Sequence, residues 1–241
     1  MQLAQFKALT FDVYGTLIDW ESGIVENLKP LTARVGRPLT RDRILEAHAF
    51  QESTAQRQTP ALRYRDLLAV VYKRLAEEWE VPVTWEECLT YGGSVGTWPA
   101  FPDSAESLAY LKRHYKLVVL SNVDNASFAE SGKKLGVAFD AVYTAEDMGA
   151  YKPALGNFEY MLEQLGRRGI AKSEILHTAE SMFHDHQPAN RMGLANCWIY
   201  RRHDKQGFGA TRDPGEMPAY DVMFKSMAEF AEAHRRELAG G

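Results

Sequence analysis

Six short apolar runs, separated by helical patterns, organise most of the chain. The runs cover residues Phe6 to Phe11, Lys116 to Leu120, Ala141 to Thr144, Ile175 to Thr178, Cys197 to Tyr200 and Tyr220 to Phe224. Continuous runs of β-branched and aromatic residues are typical of strands buried on both faces of a parallel sheet. Because these runs alternate with helical patterns, notably over residues 154–166, the sequence predicts an α/β fold with a doubly wound parallel sheet.

A helical region interrupts this alternation between the first and second apolar runs. Thr40 and Thr84 fit helix N-caps, Leu67 to Leu75 carries an apolar face, and Pro30 predicts a kink or break in the first helix. Four helices inserted after the first strand are expected to form a lid over the sheet. The predicted boundaries are residues 1–18 and 99–241 for the core domain and residues 19–98 for a helical cap domain.

Two connecting segments have patterns of their own. Asp103 and Ser104 are predicted to cap a helix that runs to about His114. Residues 201–217 are rich in Gly, Pro and charged residues, which predicts a loop.

Composition narrows the class of protein. The 241 residues, 45% hydrophobic and 25% charged, suffice for one sizeable core and a smaller domain. A net charge of -4 argues against binding to nucleic acid or to an anionic membrane. No apolar run approaches the ~20 residues of a membrane span, and residues 1–7 lack the features of a signal peptide. Cys88 and Cys197 show no metal or disulfide spacing, so we expect a soluble cytoplasmic protein.

Polar residues follow several of the predicted strands. Asp12 comes after the first run, the pair Ser121 and Asn122 after the second, and Asp185 after the fourth. Taken alone, each of these residues fits a turn or a helix cap. Ligands of open α/β sheets bind outside the carboxyl ends of the strands, so this shared position predicts a functional site.

The stretch Thr10 to Leu17 carries a resemblance to a known family. Its Asp-x-Tyr-Gly-Thr resembles the first motif of the haloacid dehalogenase superfamily, and specifically its L-2-haloacid dehalogenases. The resemblance implies that Asp12 is a nucleophile. Phosphatases of the superfamily have a second Asp where this chain has Tyr14, because a phosphate ester requires Mg²⁺ and a proton for its leaving group. A halide leaves as a stable anion, so Tyr14 favours carbon–halogen cleavage.

The resemblance extends to three later motifs and implies a role for each. Ser121 and Asn122 resemble the second motif, which binds the acidic group of the substrate. Lys152 resembles the third motif, whose Lys lies beside the nucleophile and would keep Asp12 ionised. Asp185 resembles the acid of the fourth motif. With Lys152 and Thr16, it would position or activate the water that hydrolyses the ester intermediate.

The fourth motif departs from the dehalogenase pattern. Those enzymes have Ser and Asn upstream of the acid, where this chain has Glu180 and Met182. Glu180 with Asp185 also resembles the metal-binding acids of the phosphatases. His184 and His186 flank Asp185, which admits a transition-metal site, although hydrogen-bonding roles in the loop are the preferred interpretation.

The substrate pocket is less defined by the sequence. Tyr14, Trp98 and Phe158 are the predicted aromatic contacts of the substrate, and Trp20, Phe50 and Tyr64 are further candidate walls. The family accepts the halide with an Arg in the cap, and no candidate can be aligned with it. The cap offers Arg41, Arg43, Arg57 and Arg63, and also His48, Gln51 and Gln56.

These inferences predict hydrolysis of a small 2-haloacid to the 2-hydroxy acid, through an ester on Asp12 and without a cofactor or metal. The expected partner is a small carboxylic acid, and the resemblance raises a homodimer as the assembly. Alternatives are ring opening of azetidine-2-carboxylate by the same nucleophile and a Mg²⁺-dependent phosphatase. A silent binding protein is disfavoured, because it has no physical need for the charges of Asp12, Lys152 and Asp185.

Overall fold

A computed structural model describes residues 1–240 and contains one parallel sheet of six strands. The strands are β1 (Ala8–Phe11), β2 (Lys116–Ser121), β3 (Ala141–Thr144), β4 (Ile175–Ala179), β5 (Ala195–Ile199) and β6 (Val222–Phe224). Their order is β3-β2-β1-β4-β5-β6, and every neighbouring pair is parallel. This topology confirms the predicted doubly wound sheet and places the reversal of strand order beside β1.

The central strands are apolar because both faces of the sheet are covered. All four residues of β1 are buried. Side chains alternate between the faces of a strand, so Leu9 and Phe11 join the larger hydrophobic cluster while Ala8 packs with Val118 and Leu120 in the other. The sheet is therefore a rigid support for whatever follows the ends of its strands.

The region between β1 and β2 is helical, as predicted. It contains α1 (Trp20–Thr32), α2 (Arg41–Gln58), α3 (Tyr64–Glu78) and α4 (Trp85–Gly92), followed by a 3₁₀ turn over Gly93–Thr97. Thr40 and Thr84 cap α2 and α4, since their hydroxyls accept backbone N–H bonds from Arg43 and Glu87, both at 3.2 Å. The assignment of these helices to a separate cap domain stays a prediction.

The remaining helices connect the strands or follow them. They are α5 (Ser104–Leu111), α6 (Asn125–Leu135), α7 (Ala145–Met148), α8 (Leu155–Arg167), α9 (Gln187–Arg191) and α10 (Met227–Gly240). Residues 201–217 contain neither helix nor strand, which confirms the predicted loop. No helix within residues 1–240 is long and apolar enough to cross a membrane.

Two predicted helix boundaries were wrong. Pro30 lies inside α1, which continues to Thr32, because a proline so close to the end of a helix removes only one hydrogen bond of the last turn. Asp103 precedes α5 but makes no side-chain cap, and α5 ends at Leu111 rather than near His114. The Asp103 carboxylate instead accepts two hydrogen bonds from Arg201, at 2.9 and 3.0 Å.

Candidate active site

Polar and charged side chains converge at the carboxyl ends of the central strands. Asp12 follows β1, Ser121 ends β2, and Asp185 lies in a π-helical turn, Met182–His186, after β4. Lys152 comes from the loop before α8. All four are buried. The strand order brings these positions together although they are far apart in the sequence, as expected for the binding edge of an open α/β sheet.

The Asp12 carboxylate is oriented through both of its oxygens. The Thr16 hydroxyl donates to Oδ2 at 2.8 Å, and the Lys152 ammonium donates to Oδ1 at 3.0 Å. Thr16 Oγ1 in turn accepts the backbone N–H of Glu180 at 2.8 Å, which fixes the hydroxyl. Hydrogen bonds to a charged acceptor are stronger than neutral ones, so this carboxylate is held in one orientation.

Lys152 uses its whole donor capacity inside the protein. Nζ donates to Asp12 Oδ1 at 3.0 Å, to Asp185 Oδ1 at 2.7 Å and to the Leu120 carbonyl at 2.9 Å. An ammonium group has three N–H donors, so none is left over. Asn122 fixes the Lys152 backbone, since its Oδ1 accepts the Lys152 N–H at 2.6 Å and its Nδ2 donates to the Lys152 carbonyl at 3.2 Å. Asn122 therefore positions Lys152.

Asp185 is held by a buried histidine that the sequence analysis missed. His177 Nε2 lies 2.9 Å from Asp185 Oδ1, and His177 Nδ1 lies 2.8 Å from Thr10 Oγ1. Because an ionised carboxylate only accepts, Nε2 carries the proton and Nδ1 accepts from Thr10. Asp185 Oδ2 is buried and has no hydrogen-bond partner within residues 1–240. A histidine inside the apolar run of β4 was the available sequence signal.

Burial and the shared ammonium group shift the pKa values of the two acids in opposite directions. Burial raises the pKa of Asp12 above the ordinary 3.8, against the lowering effect of Lys152, and the charge of Asp185 adds to the rise. Burial also acts upward on the pKa of Asp185, but Lys152 and His177 outweigh it and hold that pKa below its ordinary value. Asp12 is thus the acid whose charge is more costly, as is common for reactive groups.

A small cavity of about 30 Å³ lies against this charge cluster. A space of this size holds about one water molecule. The predicted site residues that line it are Asp12, Tyr14, Ser121, Asn122, Lys152 and Asp185, and the helices before β2 contribute Trp20, Glu52, Gln56 and Tyr64. The cavity therefore lies between the strand ends and the helices, with the predicted site residues on one side of it.

Comparison with known families decides the class. A family model described as haloacid dehalogenase-like hydrolase matches residues 6–178. The chain belongs to this family of hydrolases. A curated relative of the hydrolase, (S)-2-haloacid dehalogenase 4A from Burkholderia cepacia, is 28% identical over 184 residues, which cover 66% of this chain and 70% of the relative.

Solved structures of L-2-haloacid dehalogenases have the fold of this hydrolase. The enzyme PA0810 superposes with a TM-score of 0.76 at 22% identity and covers 98% of this chain and 100% of its own. The enzyme from Xanthobacter autotrophicus with covalently bound chloropropionic acid has a TM-score of 0.75 at 18% identity, covering 95% and 98% of the two chains. At these identities the likeness establishes the fold.

Three predicted residues of the hydrolase do not line the cavity. Thr16 lies outside the cavity lining and contacts Asp12 through the hydrogen bond described above. Trp98 is fully buried behind Tyr14, whose ring it meets edge-on at 5.7 Å. Phe158 is also fully buried, and its ring packs against His177 with 5.3 Å between centroids. Both aromatic rings pack against side chains that face the site, and neither lines the cavity, so the structure does not bring them to the predicted substrate position.

Tyr14 lines the cavity, but its hydroxyl points to another partner. That hydroxyl donates to Ser131 Oγ at 2.8 Å. Burial raises the pKa of Tyr14 above its ordinary value, so the phenol stays protonated. The position at which a phosphatase has a second carboxylate is therefore neutral in this hydrolase.

None of the four candidate arginines is among the residues lining the cavity. Arg43 and Arg63 pair with Glu78 and Glu146, at 3.2 and 3.3 Å. Arg57 lines a separate outer cavity of about 360 Å³ together with Phe50. The α2 residues that do line the inner cavity are Glu52 and Gln56. Glu52 was missed by the sequence analysis, although an acid among the small apolar residues of α2 was visible.

The fourth motif is built from hydrogen bonds. His184 lines the cavity with Nδ1 at 3.1 Å from Ser181 Oγ, and burial lowers its pKa to about 4. The His186 ring nitrogens lie 2.6 Å from Asn196 Oδ1 and 3.0 Å from the Ala179 carbonyl. Glu180 accepts from Thr211 at 3.2 Å, and burial raises its pKa to about 8. Within residues 1–240, no group of three or more His, Cys, Asp or Glu side chains is arranged to hold a metal ion.

Proposed function

We propose that this hydrolase converts a small 2-haloacid to the corresponding 2-hydroxy acid through an ester on Asp12. One observation carries the proposal. The Asp12 carboxylate is fixed through both oxygens at the wall of a small enclosed cavity, and the residue two positions later is a neutral tyrosine. Such a site presents one oriented nucleophile without the second acid that phosphoryl transfer in this superfamily employs.

In the first step, Asp12 attacks the α-carbon of the substrate. The new carbon–oxygen bond forms in line with the breaking carbon–halogen bond, so the configuration inverts and the halide departs with the bonding electron pair. The substrate carboxylate is assigned to Ser121 and the backbone of Asn122 and Val123, which follow β2 at the cavity wall. The side chain of Asn122 contributes by fixing Lys152.

In the second step, water attacks the carbonyl carbon of the ester, and the bond between this carbon and the ester oxygen breaks. The Asp12 carboxylate is restored, one proton of the water ends on the hydroxyl of the 2-hydroxy acid, and the other is released to solvent. Lys152 and Thr16 each donate to a different Asp12 oxygen, so whichever oxygen forms the ester, the other keeps a donor that stabilises the negative charge developing on the carbonyl oxygen. Asp185 Oδ2 is an acceptor without a protein partner and orients the attacking water. Because its pKa is lowered, Asp185 is a weak base, and orientation is its main contribution.

The relatives support a carbon–halogen substrate. A curated relative is an (S)-2-haloacid dehalogenase, and a structural neighbour was solved with chloropropionic acid covalently bound. Covalent capture of a 2-haloacid in a protein of the same fold is the outcome expected of an attacking side chain.

The test is halide release from chloroacetate, fluoroacetate and both enantiomers of 2-chloropropionate in the presence of EDTA. Wild-type protein and Asp12→Asn are compared, with Asp66→Asn as the matched control because Asp66 is half-buried on α3 and does not line the cavity. Release that persists in EDTA and disappears only in Asp12→Asn supports the proposal.

Absence of release from every haloacid would reject the dehalogenase assignment. Azetidine-2-carboxylate would then be tested for ring opening by the same nucleophile. Phosphate esters with Mg²⁺ would follow. Activity on either substrate that is lost in Asp12→Asn would retain the nucleophile and change the substrate class.

A further inference from the structure

Glu52 is a buried acid on the helical side of the cavity, and neither step above uses it. It lies on α2 with 5% of its surface exposed, and it shares the cavity with Asp12. An ionised carboxylate at such a position is costly unless it is paired with a cation. No cationic side chain within residues 1–240 makes a hydrogen bond with Glu52.

The two oxygens of Glu52 have different surroundings. Oε1 accepts two hydrogen bonds, from the Tyr64 hydroxyl at 2.9 Å and from Gln56 Nε2 at 3.2 Å. Oε2 is approached by His48 Nδ1 at 3.6 Å, which is too long for a hydrogen bond. Two donors on Oε1 leave Oε2 as the oxygen that carries the proton when the acid is neutral.

The groups around Glu52 favour its neutral form. His48 on the same helix is fully buried, and burial lowers its pKa to about 3, so it brings no positive charge. The phenols of α3, α4 and the loop before α8 that face it are Tyr64, Tyr91 and Tyr151, all with raised pKa values. The remaining titratable groups at the cavity are Asp12, Tyr14, Lys152, His184 and Asp185.

The sum of these charges is negative at the cavity. Lys152 is the single cation among the lining residues, and its donors are engaged by two carboxylates and a carbonyl. Burial raises the pKa of Glu52 to about 7, with the Tyr64 hydrogen bond acting in the opposite direction. An anionic substrate in the same cavity adds a further negative charge and pushes that pKa upward.

We propose that Glu52, as the neutral acid, donates a hydrogen bond from Oε2 to the departing halide. The proposal rests on the dehalogenase function above. As the Asp12–carbon bond forms, the carbon–halogen bond breaks and its electron pair goes to the halide. The Glu52 hydroxyl binds that anion and keeps its proton. No arginine within residues 1–240 lines the cavity, so a neutral donor takes the place of a cation on the leaving-group side.

A hydrogen-bond donor at Glu52 would favour fluorinated substrates over brominated ones. Fluoride is the strongest hydrogen-bond acceptor among the halides and the poorest leaving group on carbon, so it gains most from a positioned donor. Bromide leaves readily without one. We therefore expect Glu52 to matter for carbon–fluorine cleavage far more than for carbon–bromine cleavage.

The experiment measures fluoride release from fluoroacetate and bromide release from bromoacetate as a function of pH. Glu52→Leu removes the donor, and Glu52→Gln replaces the Oε2 hydroxyl with an amide donor that does not titrate. Glu46→Gln is the matched control, since Glu46 is exposed on the same helix and lines only the outer cavity. Circular dichroism verifies that each variant is folded.

In Glu52→Leu, we expect fluoride release to fall about 10²–10³-fold, the usual effect of losing one preorganised donor, and bromide release to fall less than about tenfold. Wild-type fluoride release should decline above pH 7, as Glu52 ionises. In Glu52→Gln this alkaline decline should be absent, whereas Glu46→Gln should retain it.

Equal losses of fluoride and bromide release in Glu52→Leu would overturn the proposal and leave Glu52 with a structural role. An alkaline decline that persists unchanged in Glu52→Gln would overturn it too. Failure of the wild-type protein to release either halide would reject the dehalogenase function itself. That outcome is distinct, because it appears before any Glu52 variant is compared.

Discussion

Two carboxylates share one ammonium group at the strand ends. Asp185 has Lys152 and His177 as partners, whereas Asp12 has Lys152 and the neutral Thr16. The site therefore holds Asp12 in its ionised form at an energetic cost, since the folded protein raises the pKa of this acid. A reactive carboxylate of this kind is expected to reduce stability while it supports chemistry.

Asp12→Asn should raise the midpoint of thermal unfolding at neutral pH. A pKa that is higher in the folded state means that ionisation at neutral pH opposes folding, and the isosteric amide removes this charge. Differential scanning calorimetry of the variant and of Asp66→Asn checks the expectation. A lower midpoint in Asp12→Asn alone would contradict it.

The same pKa shift predicts the acid side of the pH–rate profile. The proposed attack requires ionised Asp12, so kcat/KM should decline as the pH falls through a value above the ordinary 3.8. Asp185 stays ionised over this range because its pKa is lowered. Initial rates of chloride release, measured from neutral to acid pH, give this side of the pH–rate profile. A value of kcat/KM that stays constant down to pH 3.8 would show that the nucleophile is not an acid with a raised pKa.

Sequence inference at the residue scale depended on strand ends. Asp12, Ser121 and Asp185 were recognisable because each comes after an apolar run, where the topology brings polar groups together. Glu52 and His177 were not, because neither follows a predicted strand: Glu52 lies within α2 and His177 within β4. Phe158 was assigned by spacing from Lys152, and spacing along a helix does not determine which face of the sheet the side chain meets.

At the scale of elements, α1 and the segment before β2 are packed without room to spare. A Cβ atom built at Gly23 would overlap the Trp98 indole. Trp98 supports Tyr14, so the close contact between α1 and Trp98 helps to position a wall of the cavity. The distance between α1 and Trp98 therefore depends on the absence of a side chain at Gly23.

Gly23→Ala should lower the free energy of unfolding by about 1–3 kcal/mol, the usual cost of overpacking a core. Gly156→Ala is the matched control, because α8 has open space at Gly156 and alanine is the better helix former, which should stabilise by up to about 1 kcal/mol. Urea unfolding measures both. Equal effects of the two substitutions would show that the Trp98 contact is not limiting.

Element boundaries were harder to predict than element types. The N-cap signal of Thr40 identified the start of α2 correctly, since Thr40 acts within its own segment. Asp103 failed as a cap because Arg201, from a distant loop, binds its carboxylate more strongly than a backbone N–H would. Long-range charge pairs of this kind are invisible to a local pattern.

At the scale of the whole molecule, a buried ion pair joins the first helix to the loop after β5. Arg202 Nη1 lies 2.5 and 2.6 Å from the Glu21 carboxylate oxygens, and the same guanidinium donates to the carbonyls of Gln206 and Gly207 at 2.8 and 3.2 Å. This loop also supplies Thr211 to the cavity wall. Composition predicted the loop but not its buried anchor.

Arg202→Met should cost about 3–5 kcal/mol, because it leaves the buried Glu21 carboxylate without its paired guanidinium, with only the Ala210 N–H at 3.3 Å and Arg41 at 4.0 Å beside it. The double variant Glu21→Leu with Arg202→Met should recover most of that loss, since an apolar pair replaces both charges. A double-mutant cycle by urea unfolding measures the coupling. Additive losses in the double variant would show that the pair does not act as a unit.

The homodimer remains a prediction.

The small volume of the cavity has a consequence for the fate of the proposed ester intermediate. A space of about 30 Å³ admits about one water molecule and is smaller than a haloacid, so the proposed reaction requires it to widen when substrate binds. In the proposed mechanism, hydrolysis of the ester or its return to the haloacid then depends on whether water or the released halide lies beside the ester. Added halide should compete with water for the intermediate. Inhibition by the halide product then measures how often halide, rather than water, occupies the cavity.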